Sequence, residues 1–112
     1  MFKQNDTQVL KGFLDTLILK VLSEDDNYGY AIFQKINVIL ENGPLVLKES
    51  SMYPILHRLE SKMYLESFWM PGNRGTDRKY YCITELGNAL LEKRIIDWKA
   101  IRDIINTYLD PS

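Results

Sequence analysis

Residues 50–60 read SSMYPILHRLE. Met52, Ile55, Leu56 and Leu59 stand at i, i+3, i+4 and i+7, the spacing that gathers apolar side chains on one stripe of a helix. Ser50 or Ser51 is placed to cap its start, and Pro54 to fall in the first turn, where a missing N–H costs little. The helix ends near Lys62. Tyr53, His57 and Arg58 are left on the opposite side, toward water. The only histidine of the chain thus shares an exposed helical surface with an aromatic and an arginine.

The flanking sequence gives this helix its setting. A broad apolar stripe (Val9, Leu10, Phe13, Leu14, Leu17, Ile18, Val21, Leu22) predicts a helix from about Gln8 to Leu22, capped by Asp6 or Thr7. After the polar break SEDDNYG, a second helix is expected from about Tyr28 to Glu41, with Tyr28, Ile32, Ile36 and Ile39 inward. Asn42-Gly43-Pro44 stops it, and Leu45-Val46-Leu47 forms a short extended link. Downstream, Leu65–Met70 and Arg78–Ile83 are rich in β-formers and are joined by the Pro- and Gly-containing loop 71–77, which reads as a hairpin. Thr84 caps a last helix that runs to about Leu109, before Pro111. The expected fold is mainly α with a small β-hairpin: a winged helix-turn-helix over 1–83, then a long C-terminal dimerisation helix in 84–112, forming one compact domain.

Composition narrows the function. A chain of 112 residues with 46% hydrophobic and 26% charged residues is an ordinary globular domain. No run approaches the roughly 20 apolar residues of a membrane helix, and MFKQNDTQVLKG lacks the layout of a signal peptide, so no membrane partner and a cytoplasmic location are expected. The lone Cys82 cannot form an internal disulfide, and one Cys with one His cannot assemble a zinc site. Neither a phosphate loop, a nucleophile elbow, a Cys–His couple nor an acid/base carboxylate pair is recognisable, so neither enzymatic activity nor a cofactor is expected.

Net charge is −1, yet the charge is segregated. Residues 48–80 carry six basic side chains against four acidic ones, whereas the remainder carries eight against eleven. For binding an anionic polymer the distribution matters more than the total. In a helix-turn-helix the second helix of the pair lies in the major groove of DNA. Ser51, Tyr53, His57, Arg58 and Lys62 would then meet phosphates and base edges, with Arg74, Arg78 and Lys79 of the hairpin reaching the flanking backbone. Each of these residues also has a plainer reading: a solvated face for Arg58 and Lys62, a surface histidine, a tyrosine packed on a neighbouring helix, an edge strand protected by charge. A winged-helix module that binds a protein rather than DNA is the alternative function.

The last helix, about 39 Å long at about 1.5 Å per residue, outruns a compact body of this size. Leu91, Ile95, Trp98, Arg102, Ile105 and Leu109 follow the 4-3-4-3-4 spacing of a helix pair, and Ile101 and Tyr108 widen the stripe. Such a surface needs a partner. A homodimer joined along these residues is expected, with Leu10, Phe13 and Leu14 of the first helix packing on the partner's tail.

Three stretches together resemble the PadR family of bacterial transcriptional regulators: DNYGYAI (26–32), SSMYPILHRLE (50–60) and GTDRKYYCITELG (75–87). The family pattern is Tyr-Gly-Tyr with an aliphatic, Leu-Tyr-Pro-x-Leu-x-Arg-Leu-Glu, and Gly-x-x-Arg-Lys-Tyr-Tyr-x-Leu-Thr-x-x-Gly, here in the same order and spacing over nearly the whole chain. The short tail is similar to the compact branch that includes multidrug-sensing repressors. The resemblance implies a homodimeric, ligand-responsive repressor on a palindromic operator in double-stranded DNA, with Tyr53, His57 and Arg58 in the recognition helix and Arg78 and Lys79 in the wing. It also implies a pocket at the dimer axis for a small aromatic effector, with Trp98, Phe13 and Ile95 as candidates. Arg102 in the same seam argues against organic cations as the effector unless Asp15 or another acid neutralises it. The chain departs from the pattern at Met52 for Leu, at Met63 where a Gly is usual, and at Asp77, which sets an acid in the wing.

Overall fold

Among the described residues, helical periodicity becomes four helices, each burying one stripe. A computed structural model describes residues 7–72 and 75–110, with side chains from residue 12 onward. Asp6, Arg74 and Pro111 and the side chains of Thr7 and Leu10 lie outside the described residues. The elements are α1 (Thr7–Glu24), β1 (Asn27–Tyr28), α2 (Gly29–Leu40), α3 (Glu49–Ser61), β2 (Leu65–Pro71), β3 (Asp77–Ile83) and α4 (Glu85–Leu109). Leu14, Ile18 and Leu22 of α1, Ile32 and Ile36 of α2, Met52, Leu56 and Leu59 of α3, Leu65 of β2 and Leu91 of α4 form the core. Each side chain removed from water in this way contributes about 2 kcal/mol, the main driving term for the fold.

The expected hairpin gains a third strand. β3 is central, with β1 antiparallel on one side and β2 on the other; Tyr28 pairs with Tyr80, and Phe68 lies opposite Tyr80 from the other edge. Tyr28 is therefore a strand residue rather than the first inward residue of α2. A strand of two residues leaves no alternation in the sequence, which is why the break after α1 reads as loop. Ile39, expected inward, is 56% exposed, because the inward stripe of α2 runs through Ile32, Ile36 and Leu40 and leaves Ile39 beside it.

Between α2 and α3 the chain is held by Leu47, buried in the core, by Leu45 packed against it, and by a side chain of α2. Asn37 accepts from the Leu47 N–H at 2.9 Å and donates from Nδ2 to the Leu47 carbonyl at 3.2 Å, as a neighbouring strand would. That anchors the link and sets where α3 begins. α3 starts at Glu49, with Lys48 in the N-cap position and no side-chain cap, so neither Ser50 nor Ser51 performs the expected role. The Ser51 N–H instead bonds to the Lys48 carbonyl at 3.0 Å. The earlier start moves Pro54 to the sixth helical residue, where it removes one donor from the ladder.

α3 ends in a tight left-handed turn at Met63, φ +67°. The Met63 N–H bonds to the Glu60 carbonyl and the Tyr64 N–H to the Leu59 carbonyl, both at 2.9 Å, the two bonds of a Schellman ending. Glycine is the usual residue there, and a methionine holds that conformation at a cost of order 1 kcal/mol.

The same corner starts α4. The Thr84 side chain accepts from the Gly87 N–H at 3.0 Å, the predicted cap, and its hydroxyl lies 2.7 Å from the Met63 carbonyl and 3.1 Å from that of Tyr64. Gly87 is required: a Cβ there would stand 2.2 Å from the Tyr64 carbonyl oxygen. Beyond Ile95, α4 leaves the body, and Ile96, Trp98, Ile101, Ile104, Ile105, Tyr108 and Leu109 are all exposed. The radius of gyration, 15.6 Å, exceeds the roughly 13 Å of a compact chain of similar length for this reason.

Candidate nucleic-acid interface

The stripe of α3 is buried as its spacing predicts, with Met52, Ile55, Leu56 and Leu59 inside. The polar residues do not form one face, however. They divide between two flanks.

On the wing side, Tyr53 and His57 line a groove of about 440 Å³ with Tyr28, Gly29, Tyr30, Arg78, Lys79 and Tyr81. The Tyr53 hydroxyl donates to Glu49 Oε1 at 3.2 Å. Burial, with the Glu49 charge beside it, pushes that hydroxyl above its ordinary pKa, so it stays protonated and neutral at physiological pH. Gly29 leaves room for the ring, as a Cβ on it would meet Tyr53 Cε1 at 2.7 Å. The glycine of DNYGYAI and the tyrosine of SSMYPILHRLE are therefore two halves of one contact.

The wing cations are engaged within the chain. Arg78 sits 4.5 Å from the centroid of the Tyr28 ring. That ring lies 5.5 Å from Tyr80, which stacks on Phe68 at 5.7 Å, so one aromatic row crosses the three strands. Lys79, expected to reach a DNA backbone, turns instead to α3: its Nζ is 3.3 Å from Glu60 Oε1 and lies over the Tyr81 ring. The Ser67 hydroxyl donates to the other Glu60 oxygen. That hydroxyl, helped by Lys79, holds the Glu60 carboxyl below the usual range against the opposing effect of burial. Burial pulls the Lys79 ammonium down, but the Glu60 hydrogen bond and charge outweigh it and raise its pKa. Sequence reading passed over Glu60. The available signal was its position two turns after Tyr53, on the same wing-facing flank.

On the other flank, Arg58 and Lys62 line a second groove with Asp15, Leu59, Tyr64, Leu90 and Arg94. Asp15, 8% exposed, pairs with Arg94 at 3.2 Å. Of the two alternatives for neutralising Arg102, Asp15 or another acid, the structure has the second: Arg102 lies 5.0 Å over the Trp98 ring and pairs with its neighbour Asp103 at 3.0 Å. The reason is reach: Asp15 packs beside the first half of α4, two turns before Arg102. Ser51 is half-buried, and His57, Arg58 and Lys62 are exposed.

The expected dimer seam also divides. Leu14 and Leu91 are 2% and 5% exposed and belong to the chain's own core, and Ile95 packs against it, because α1 and α4 cross there. Phe13, Trp98, Ile101, Ile105, Tyr108 and Leu109 remain exposed. Trp69 of β2, directly across from Lys79, is 66% exposed. Among the described residues no group of His, Cys, Asp and Glu is placed to hold a metal, and no helix is long and apolar enough to cross a membrane.

Comparison with known proteins places this geometry in context. The sequence model of the transcriptional regulator PadR-like family matches residues 18–93, which span all of α2, α3 and the sheet. An uncharacterized protein of Lysinibacillus sphaericus is 35% identical over 104 residues, covering 93% of this chain and 94% of that protein. Among solved structures, a transcriptional regulator from Clostridium thermocellum superimposes with a TM-score of 0.82 at 32% identity, covering 96% of this chain and 100% of its own. A PadR-like transcriptional regulator from Bacillus cereus gives a TM-score of 0.80, also at 32% identity, covering 92% of this chain and 97% of its own.

Proposed function

Because this chain belongs to the PadR-like family of DNA-binding transcriptional regulators, we propose that it is a ligand-responsive repressor that binds a palindromic operator as a homodimer. It works in the cytoplasm and needs no chemistry, only occupation of a promoter. The observation that carries the reading is the division of α3: its apolar stripe is sealed in the core, while His57, Arg58 and Lys62 stand exposed, and neither Arg58 nor Lys62 is in a salt bridge among the described residues. A helix held in that way is fit for a major groove, with His57 central and Tyr53 and Arg58 at its two edges. Ser51 and Lys62 extend the contact, and Arg74 and Arg78 serve the wing; Lys79 acts by holding the wing to Glu60.

Residues 84–112 form the dimerisation helix in this reading. The exposed run of Trp98, Ile101, Ile105, Tyr108 and Leu109 supports it, since an apolar surface of that extent calls for burial. Two-fold pairing then offers two α3 helices to half-sites about one DNA turn apart. An aromatic effector seated near Trp98, Phe13 and Ile95 at the dimer axis, beside Arg102, would release DNA by preferring a different spacing of the two heads.

The test is fluorescence anisotropy with duplexes recovered from genomic DNA by the protein itself. Arg58→Ala should weaken operator binding at least tenfold, with a steep loss of affinity as salt is raised. Binding by Arg58→Ala equal to wild type, or equal affinity for random duplex, overturns the assignment.

A further inference from the structure

The flank of α3 that faces away from the wing gathers positive charge around one recess. Arg58 and Lys62 stand one turn apart and exposed, Arg94 of α4 faces them, and Tyr64 and Leu90 complete a groove of about 310 Å³. The sole carboxylate lining it, among the described residues, is Asp15. Asp15 is 8% exposed and accepts from both terminal guanidinium nitrogens of Arg94, Nη2 at 3.2 Å and Nη1 at 3.4 Å. That bond fixes the guanidinium in place without exhausting its five N–H donors. Three cations against one anion leave a recess with two uncompensated positive charges, built from three helices and lined mostly by polar surface.

We propose that this groove is a phosphate-binding site. Arg94, oriented by Asp15, supplies planar donors, and Arg58 and Lys62 close on the phosphate oxygens from the α3 side. The group bound is either a phosphate of the DNA backbone or the phosphate of a small free anion. In the first case the site rests on the DNA reading above and adds α4 to the DNA contact. In the second it opposes that reading's complex, because a free anion on Arg58 competes with DNA for the same side chain.

Two measurements separate the sources. Calorimetry with inorganic pyrophosphate, at ionic strength matched with chloride, reports the free anion; the salt slope of duplex binding reports the backbone phosphate. Replacing Arg94 alone would strand a buried carboxylate, so the variants are D15N/R94Q, which removes both charges, and Lys62→Gln on the surface. Saturable pyrophosphate binding, weakened at least tenfold in both variants, establishes a free-anion site. A fall of about 0.9 in the salt slope of D15N/R94Q, without pyrophosphate binding, establishes a backbone contact. Absence of both effects overturns the proposal. A protein that binds pyrophosphate but no duplex keeps the site and removes the DNA reading.

Discussion

The ring of Tyr53 lies over Gly29 so closely that a methyl group on the glycine would stand 2.7 Å from Cε1 and 3.1 Å from the hydroxyl. Gly29 opens α2 and Tyr53 belongs to α3, so the contact fixes the wing-side edge of α3 from outside its own helix. Gly29→Ala is expected to swing the Tyr53 ring outward and to weaken duplex binding several-fold with little loss of stability. Tyr53→Phe in the same assay should retain the ring position and lose only the hydroxyl. Anisotropy titrations with both variants check this, and unchanged affinity for Gly29→Ala would be the contrary result.

Met63 holds a left-handed conformation that its side chain does nothing to support, being 66% exposed. Met63→Gly removes the steric cost but loosens the unfolded chain. The two largely offset, and the net expectation is a stabilisation of about 0–0.5 kcal/mol, seen as an equal or slightly higher midpoint in urea with an unchanged slope.

Gly87 is the opposite case. Its missing side chain accommodates the backbone carbonyl of Tyr64, which cannot yield as a flexible side chain would. Gly87→Ala should cost about 2–3 kcal/mol by forcing α4 away from the turn at Met63, measured by chemical unfolding.

The Glu60–Lys79 pair gives a pH signature. Glu60 is held below its ordinary pKa of 4.5 by Ser67 and Lys79, so its stabilising contribution is complete above that value. It is lost as pH falls through the lower pKa of the folded state. Lys79 is raised above 10.5, so its contribution is complete below 10.5 and is lost only above that range. The stability difference between wild type and Glu60→Gln should therefore be constant near neutrality and shrink below about pH 4.5. A double-mutant cycle with Lys79→Met is expected to give a coupling of about 0.5–1 kcal/mol, since both side chains are partly exposed.

For the proposed dimer, Ile105→Asp places a charge in the middle of the exposed apolar run without touching the core. Sedimentation at micromolar concentration should show a monomer with a native far-UV spectrum. A variant that remains dimeric would move the interface elsewhere.

Much of this was legible in the chain itself. The stripes of α1, α3 and α4, the Thr84 cap and the hairpin follow from spacing and local chemistry, and the exposure of α4 beyond Ile95 was implied by its length. Three-residue-scale features were not legible. β1 is too short to alternate, and its pairing with β3 depends on residues more than fifty positions away. The start of α3 is set by Asn37 gripping Leu47, a contact that no capping rule anticipates. At the candidate site, periodicity identified which residues of α3 face out. It did not show that Lys79 would be claimed by Glu60 or that Asp15 would take Arg94, because those pairings depend on how whole elements cross.

The threonine at the root of α4 has a mechanical consequence. Its hydroxyl ties the last carbonyls of the α3 turn to the first turn of α4, so the two helices share a pivot and cannot swing independently. A rigid arm of about 37 Å, held at its far end and turned through about 5°, carries its root about 3 Å, close to the rise of a single base step. In a two-fold pair, small rocking at the tails would thus be geared into a mismatch of phase between the reading heads, with no hinge loop required.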